Sequence, residues 1–312
     1  MLQENSWLVK YNKLNNSFKK KLVFRLGAEA GFFSEYNHMV FAMLYCLKHS
    51  IKFVLSTRGN KFDIKNGWQD FFLPFCEETK LKFHITYNIR KYQYRKARSQ
   101  DYKTFVFKKV HGINFFTQDI WDDIRAQNPG EIFCIPELGI NHTLVGSCKI
   151  IIDNIWRYQP GIAEDILNKV DILCLPKEYI GIHIRGGDKV TEHQLFTPTD
   201  YIEKLITFTQ CKDIYVATDD YRNIIYIKEN FSNYNVYTNC SKEAIGHLQS
   251  TFDAQNISSK KEALIDLFTD VDILSNAGMF IGTYSSNIGM YIGMRIGESK
   301  CKCLDFDKWQ LW

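Results

Sequence analysis

Residues 179–189, Tyr-Ile-Gly-Ile-His-Ile-Arg-Gly-Gly-Asp-Lys, open as an apolar strand and end in two glycines flanked by charge. A strand that runs straight into small and charged residues brings polar groups to the carboxyl edge of a sheet in α/β proteins. The pattern recurs. Residues 213–217 read as a strand followed by Thr218, Asp219 and Asp220, and residues 278–282 as a strand followed by Thr283-Tyr-Ser-Ser-Asn287. Helical periodicity separates them. A helix capped by Thr199 or Asp200 is expected to run to about Phe208, and a second covers residues 222–231. A long amphipathic helix covers 260–275, with Leu264, Leu267, Phe268, Val271 and Leu274 on one face. Residues 234–238 add a further strand. Strands alternating with helices predict a doubly wound parallel sheet, an α/β fold with a Rossmann-like second half.

The first half reads similarly but less regularly. A strand over 22–26, a glycine-containing loop, a helix over 36–48 and a strand over 51–55 form a βαβ unit. It lacks the GxGxxG spacing of a dinucleotide site. Residues 118–178 read as mainly helical, broken at Pro129, Pro136, Pro160 and Pro176. With 312 residues two domains are expected, and the last break divides them into 1–176 and 177–312.

Parallel strands place their carboxyl ends on one side of a sheet. The segments 183–189, 218–220 and 283–287 are therefore expected to converge, although they are far apart in the chain. Each has a plain structural reading alone. Ser285 and Ser286 suit a helix N-cap, Asp219 and Asp220 can cap the next helix, and His183 in an apolar strand suits a satisfied buried histidine. Together they suit a diphosphate. Arg185 and Lys189 neutralise phosphate, and Gly186 and Gly187 let backbone approach closely. Asp188 orients a cation or a hydroxyl, and a hydroxyl-bearing helix N-terminus adds donors. The acids suit ribose hydroxyls and guanine N–H groups. No Walker sequence is present, and Asp270-Val-Asp272, which has the Asp-x-Asp spacing, falls within a helix. No metal is expected, so Arg185 and Lys189 are left to stabilise leaving-group charge.

A net charge of +4 is too mild to indicate nucleic acid, and no nucleic-acid partner is expected. From Arg90 to Lys109, however, eight Lys or Arg face one acid, Asp101, interleaved with five aromatics. That stretch suits a solvated basic face, an anionic acceptor, or peripheral contact with an anionic membrane. No run of about 20 apolar residues occurs, and residues 1–6 lack the features of a secretory leader. The nine cysteines form no CxxC pair and read as reduced packing thiols. The expected location is the cytoplasm, or the inner face of a membrane.

These residues resemble the α1,6-fucosyltransferases, the core N-glycan enzymes of animals and the rhizobial nodulation enzymes. The family motif His-x-Arg-Arg-x-Asp-Lys stands here as His183-Ile-Arg-Gly-Gly-Asp-Lys189. The likeness continues at Glu192, Phe196 and Tyr201, in Val216-Ala-Thr-Asp-Asp220, Asp270-Val-Asp-Ile-Leu-Ser275 and Thr283-Tyr-Ser-Ser286, and more loosely at 66–75 and 156–160. The resemblance implies a two-domain GT-B-like glycosyltransferase, with residues 1–176 on the acceptor side and residues 177–312 holding the GDP-sugar. It implies a GDP-fucose donor, a glycan acceptor in surface polysaccharide or glycolipid synthesis, and inverting, metal-independent transfer. Arg185 would hold the diphosphate with His183 nearby, and Ser286 would meet a phosphate. Asp219 and Asp220 would lie at the nucleoside, Asp270 at the guanine or ribose, and Tyr201 along the donor pocket. Glu192, relayed with Lys189, would be the general base. Two departures stand out. The second motif arginine is Gly186, and the segment between Lys189 and Glu192 is one residue shorter than in the animal enzymes. Alternatives are a transferase using another GDP-sugar, or a non-catalytic nucleotide- or glycan-binding descendant.

Overall fold

The computed structural model describes residues 5–27, 30–89, 99–186, 196–246, 252 and 255–311. The chain divides into two compact units, Met1–Gln159 and Pro160–Trp312.

The first unit contains, in order, α1 (Ser6–Ser17), β1 (Lys20–Arg25), α2 (Phe32–Lys48), β2 (Ile51–Ser56), α3 (Phe83–Tyr87) and α4 (Ser99–Val110). It continues with β3 (Phe115–Phe116), α5 (Trp121–Arg125), β4 (Phe133–Ile135), β5 (Ile140–His142) and α6 (Leu144–Ile155). The order β2-β1-β3 is parallel throughout, as the βαβ reading requires. Helix α2 is buried around most of its circumference. Phe32, Phe33 and Tyr36 on it meet Trp68, Phe72 and Trp156 in an aromatic core where Trp68 and Phe72 stack at 4.3 Å. Burying rings of this size accounts for the aromatic richness of the segment around residue 70.

The mainly helical reading of 118–178 needs correcting. β4 and β5 form an antiparallel hairpin within it. Its turn is built on Pro136 at the start of a 3-10 turn and on Gly139, whose φ of 67° suits glycine. Three-residue strands are too short to show an alternating pattern in sequence.

The second unit contains α7 (Pro160–Ile172), β6 (Ile180–Ile184), α8 (Pro198–Ile206), β7 (Asp213–Thr218), α9 (Tyr221–Asn230) and β8 (Asn235–Tyr237). It ends with α10 (Ile257–Asn276), β9 (Met279–Gly282), α11 (Asn287–Ile296) and β10 (Cys301–Cys303). The five strands run parallel in the order β10-β9-β6-β7-β8. The chain moves outward from β6 through β7 to β8, then returns to the other side of β6 for β9. The order therefore reverses between β6 and β9. In open α/β sheets ligands bind beyond the carboxyl ends of the strands flanking such a reversal.

All five residues of β6 are buried, as expected of a central parallel strand covered on both faces. Ile180, Ile182, Ile184, Ile214, Val216 and Ile281 meet Tyr201, Ile202 and Leu205 of α8 in one core.

Three details differ from the sequence reading. α8 is capped by Thr197, not by Thr199 or Asp200. The Thr197 hydroxyl accepts from the Asp200 amide at 3.4 Å, and the Asp200 carboxylate accepts from the Thr197 amide at 2.6 Å. Asp200 is thus the reciprocal member of a capping box with Pro198 at the first helical position. The division between units falls after Gln159, not at Pro176, because α7 packs on α10. Lys169 of α7 reaches Glu262 at 2.6 Å and Asp266 at 2.9 Å. Finally, β10 adds an edge strand that was not anticipated. All nine cysteines are free thiols.

Candidate functional site

The register sets the ends of β6 and β7 level, with Ile184 opposite Thr218. Two hydrogen bonds then tie the three expected loops together. The Gly186 amide donates to Asp219 Oδ1 at 2.9 Å, joining the ends of β6 and β7. His183 Nδ1 lies 3.5 Å from Ser286 Oγ, joining β6 to the loop after β9. Of the convergence expected of 183–189, 218–220 and 283–287, the described part joins at the strand-order reversal through Gly186, Asp219, His183 and Ser286.

His183 is buried. Burial, and then the nearby positive charge of Arg185, push its imidazolium down to about 4. At neutral pH it is an uncharged hydrogen-bonding group, so among the described residues of this strand end Arg185 carries the positive charge. Arg185 is half-buried.

Gly186 is placed in a tight contact. A β-carbon there would come within 2.8 Å of Asp219 Oδ1. The carboxylate thus occupies the space a side chain at 186 would need. Gly187, Asp188, Lys189 and Glu192 lie outside the described residues.

Beyond β7, Thr218 Oγ1 accepts from the Asp220 amide at 3.3 Å and from Asn223 Nδ2 at 3.0 Å. Asp220 caps α9 by accepting from the Arg222 amide at 3.0 Å. Its two oxygens also grip the Arg222 guanidinium at 2.9 and 2.5 Å, which holds the carboxyl below its usual range. For Asp220 the plain reading, a helix cap, is what this geometry realises. Asp219 is the carboxylate of the pair directed toward the β6 end.

The loop after β9 is held from beneath by a residue the sequence reading missed. Asp305 accepts from the backbone amides of Tyr284 at 2.9 Å and Ser285 at 2.8 Å. Ser286 caps α11 by accepting from the Gly289 amide at 2.9 Å. Gly289 is required there, since a β-carbon would fall 1.9 Å from the Thr283 carbonyl oxygen. The positive end of the α11 dipole lies at this edge. Asp305 could have been found from β10, whose alternating buried Cys301 and Cys303 lead to an acid at a strand end.

Asp270 lies on α10 and accepts from the Tyr215 hydroxyl at 2.5 Å. Burial raises its carboxyl to about 7. Burial, and then the charges of Asp270, Asp219 and Asp220, push the Cys240 thiol up to about 12. Tyr201 belongs to the hydrophobic core and is almost wholly buried. It therefore supports the β6 end from within the core instead of presenting a face to an open pocket.

Among the described residues, the ends of β6, β7 and β9 thus bring together Arg185, the neutral His183, the Asp219 carboxylate and the N-terminus of α11 capped by Ser286. Residues 141–291, which contain all of these, match the family model for the alpha-(1,6)-fucosyltransferase N- and catalytic domains. This part of the chain is similar to the catalytic region of the fucosyltransferases. The match begins at the hairpin strand β5 and ends within α11.

Solved structures agree in fold. The fucosyltransferase NodZ from Bradyrhizobium is similar over 93% of this chain and 96% of its own, with 14% identity and a TM-score of 0.55. NodZ α1,6-fucosyltransferase soaked with GDP-fucose is similar over 89% and 93%, with 15% identity and a TM-score of 0.52. A mutant of Arabidopsis thaliana FUT1 in complex with GDP is similar over 95% and 74%, with 13% identity and a TM-score of 0.50. At these identities the likeness establishes the fold, a GT-B-like α/β architecture with parallel sheets. No curated protein matches the sequence. Among the described residues no helix is long and apolar enough to cross a membrane.

Proposed function

We propose that this protein transfers fucose from GDP-fucose to a hydroxyl of a glycan acceptor, by an inverting, metal-independent reaction. The observation that carries the reading is the meeting of the β6, β7 and β9 ends inside the segment that matches the fucosyltransferase catalytic domains. The similar structures soaked with GDP-fucose or in complex with GDP support the donor.

In this reading Arg185, the N-terminus of α11 and Ser286 receive the diphosphate. Lys189 adds a second cation and Asp188 orients it. Asp219 and Asp270 face the nucleoside, whose ribose hydroxyls and guanine N–H groups are donors, while Asp220 holds the start of α9 beside them. Thr218, Gly187 and Ser285 shape the same edge. His183, neutral and buried, holds Ser286 in place.

The acceptor oxygen attacks C1 of fucose as the bond from C1 to the β-phosphate oxygen breaks. The leaving GDP takes the bonding electrons, and Glu192 takes the hydroxyl proton, inverting the anomeric centre. Cations at the diphosphate stabilise the charge that develops there. A surface polysaccharide or glycolipid is the acceptor class this reading favours.

A second reading is favoured by Gly186. With Asp219 in the space of the second motif arginine, the donor edge carries one fewer cation, which suits a transferase for another GDP-sugar. A thermal-shift series with GDP, UDP and ADP, followed by mass-spectrometric turnover of GDP-fucose and GDP-mannose in excess EDTA, tests both. Selective stabilisation by GDP and fucose transfer that Arg185→Ala abolishes are expected. Absence of any nucleotide response would leave a non-catalytic descendant, and transfer of mannose alone would replace the donor.

A further inference from the structure

We infer that the exposed face of α4 is a docking surface for an anionic phospholipid bilayer. The inference does not depend on the donor or acceptor proposed above.

Helix α4 is anchored from one side. Phe107 stacks on Phe83 at 3.6 Å and packs on the core formed by Val23, Val54, Ile113 and Phe116. Its outer side is apolar where water should favour polar residues. Tyr102 is 71% exposed, Phe105 59%, Val106 39% and Val110 73%. The spacings i, i+3, i+4 and i+8 put these four within an arc of about 140° on a helix with 3.6 residues per turn, and Phe107 lies outside that arc. A single exposed apolar residue needs no explanation, but a contiguous stripe marks an interaction surface.

Charge selects the partner. Lys103 and Lys109 are exposed on the same face, and Lys109 Nζ lies 5.7 Å over the Phe105 ring. No acid occurs between residues 102 and 114. At the end of the helix Lys21 Nζ donates to the His111 carbonyl at 2.8 Å, and Lys20 beside it is exposed. A second copy of the chain docked symmetrically here would set these lysines against their own counterparts. An anionic bilayer instead matches both features, taking the rings and valines at the headgroup boundary and the lysines among its phosphates.

The test is co-sedimentation of the full chain with phosphatidylcholine vesicles containing about a third phosphatidylserine, against pure phosphatidylcholine. Binding to the anionic vesicles only, weakened by salt, is expected. Lys103→Gln with Lys109→Gln should weaken it roughly twenty-five-fold, at about five-fold per lysine near the surface. Phe105→Ser with Val110→Ser should abolish it while leaving the thermal midpoint in place. Undiminished sedimentation of both variants would overturn the inference. So would equal binding to neutral vesicles, or a dimer by light scattering that the Phe105→Ser and Val110→Ser variant converts to monomer.

Discussion

Alanine at position 186 isolates the contact that distinguishes this site from the motif it resembles. The φ of Gly186 lies outside the left-handed region, so its backbone accepts a side chain. The obstacle is Asp219. The added β-carbon would stand 2.8 Å from Oδ1, about 0.6 Å inside the 3.4 Å at which ordinary contact begins. The carboxylate must withdraw, and in doing so it loses the Gly186 amide bonded at 2.9 Å. A hydrogen bond to a charged group contributes about 1.5–3 kcal/mol. Restricting the unfolded chain returns about 0.4–1 kcal/mol. Gly186→Ala is therefore expected to destabilise the second unit by about 1–2 kcal/mol. In an Asp219→Ala background the obstacle and the bond are both gone, and the same substitution should stabilise by a few tenths of a kcal/mol. Hydrogen exchange of the buried β6 amides reads this free energy even where a two-unit chain unfolds in more than one step. Arginine at 186 carries the same β-carbon, so restoring the motif should require changing Asp219 as well. Equal effects of Gly186→Ala in the two backgrounds would refute the reasoning.

Asp270 gives a pH-dependent expectation. Its folded carboxyl titrates at about 7, against about 3.9 when unfolded, so the folded state holds the extra proton between those values. The associated stability is complete below about pH 4 and lost as pH rises through 7. Asp270→Asn keeps an oxygen for the Tyr215 hydroxyl and should gain roughly 2–4 kcal/mol over wild type at pH 8 but little at pH 4, measured by urea unfolding. An equal gain at both pH values would count against it. Gly289→Ala drives a β-carbon toward the Thr283 backbone oxygen and should cost about 3 kcal/mol and remove stabilisation by GDP, whereas Gly161→Ala, with nothing within 4 Å, should do neither in the same thermal-shift assay.

The parts of the fold that were legible in sequence are those whose pattern is local and long. Strands β6, β7 and β9 are buried apolar runs with polar ends, and α10 has a long periodic face. The short elements were not legible. β4, β5 and β10 have three residues each, too few to carry a pattern that stands out from the helical stretches around them. The cap of α8 is Thr197, two residues before Thr199 and three before Asp200, because Pro198 is the first helical residue. The division at Gln159 depends on what α7 touches, and the sequence of α7 does not contain that information.

For the site, the chain itself determined which residue types stand at the ends of parallel strands, and the rule of parallel sheets determined that these ends share an edge. His183, Arg185, Asp219 and Ser286 follow from that alone. The tertiary structure decided the rest. It made His183 neutral through burial, turned Asp220 into a cap tied to Arg222, set Tyr201 in the core, and placed Asp305 under the loop after β9. It also filled the space beside Gly186 with the Asp219 carboxylate. The physical reason is common to all five. Charge state, pairing and free space are set by neighbours within a few ångströms, and those neighbours come from residues tens of positions away in the chain.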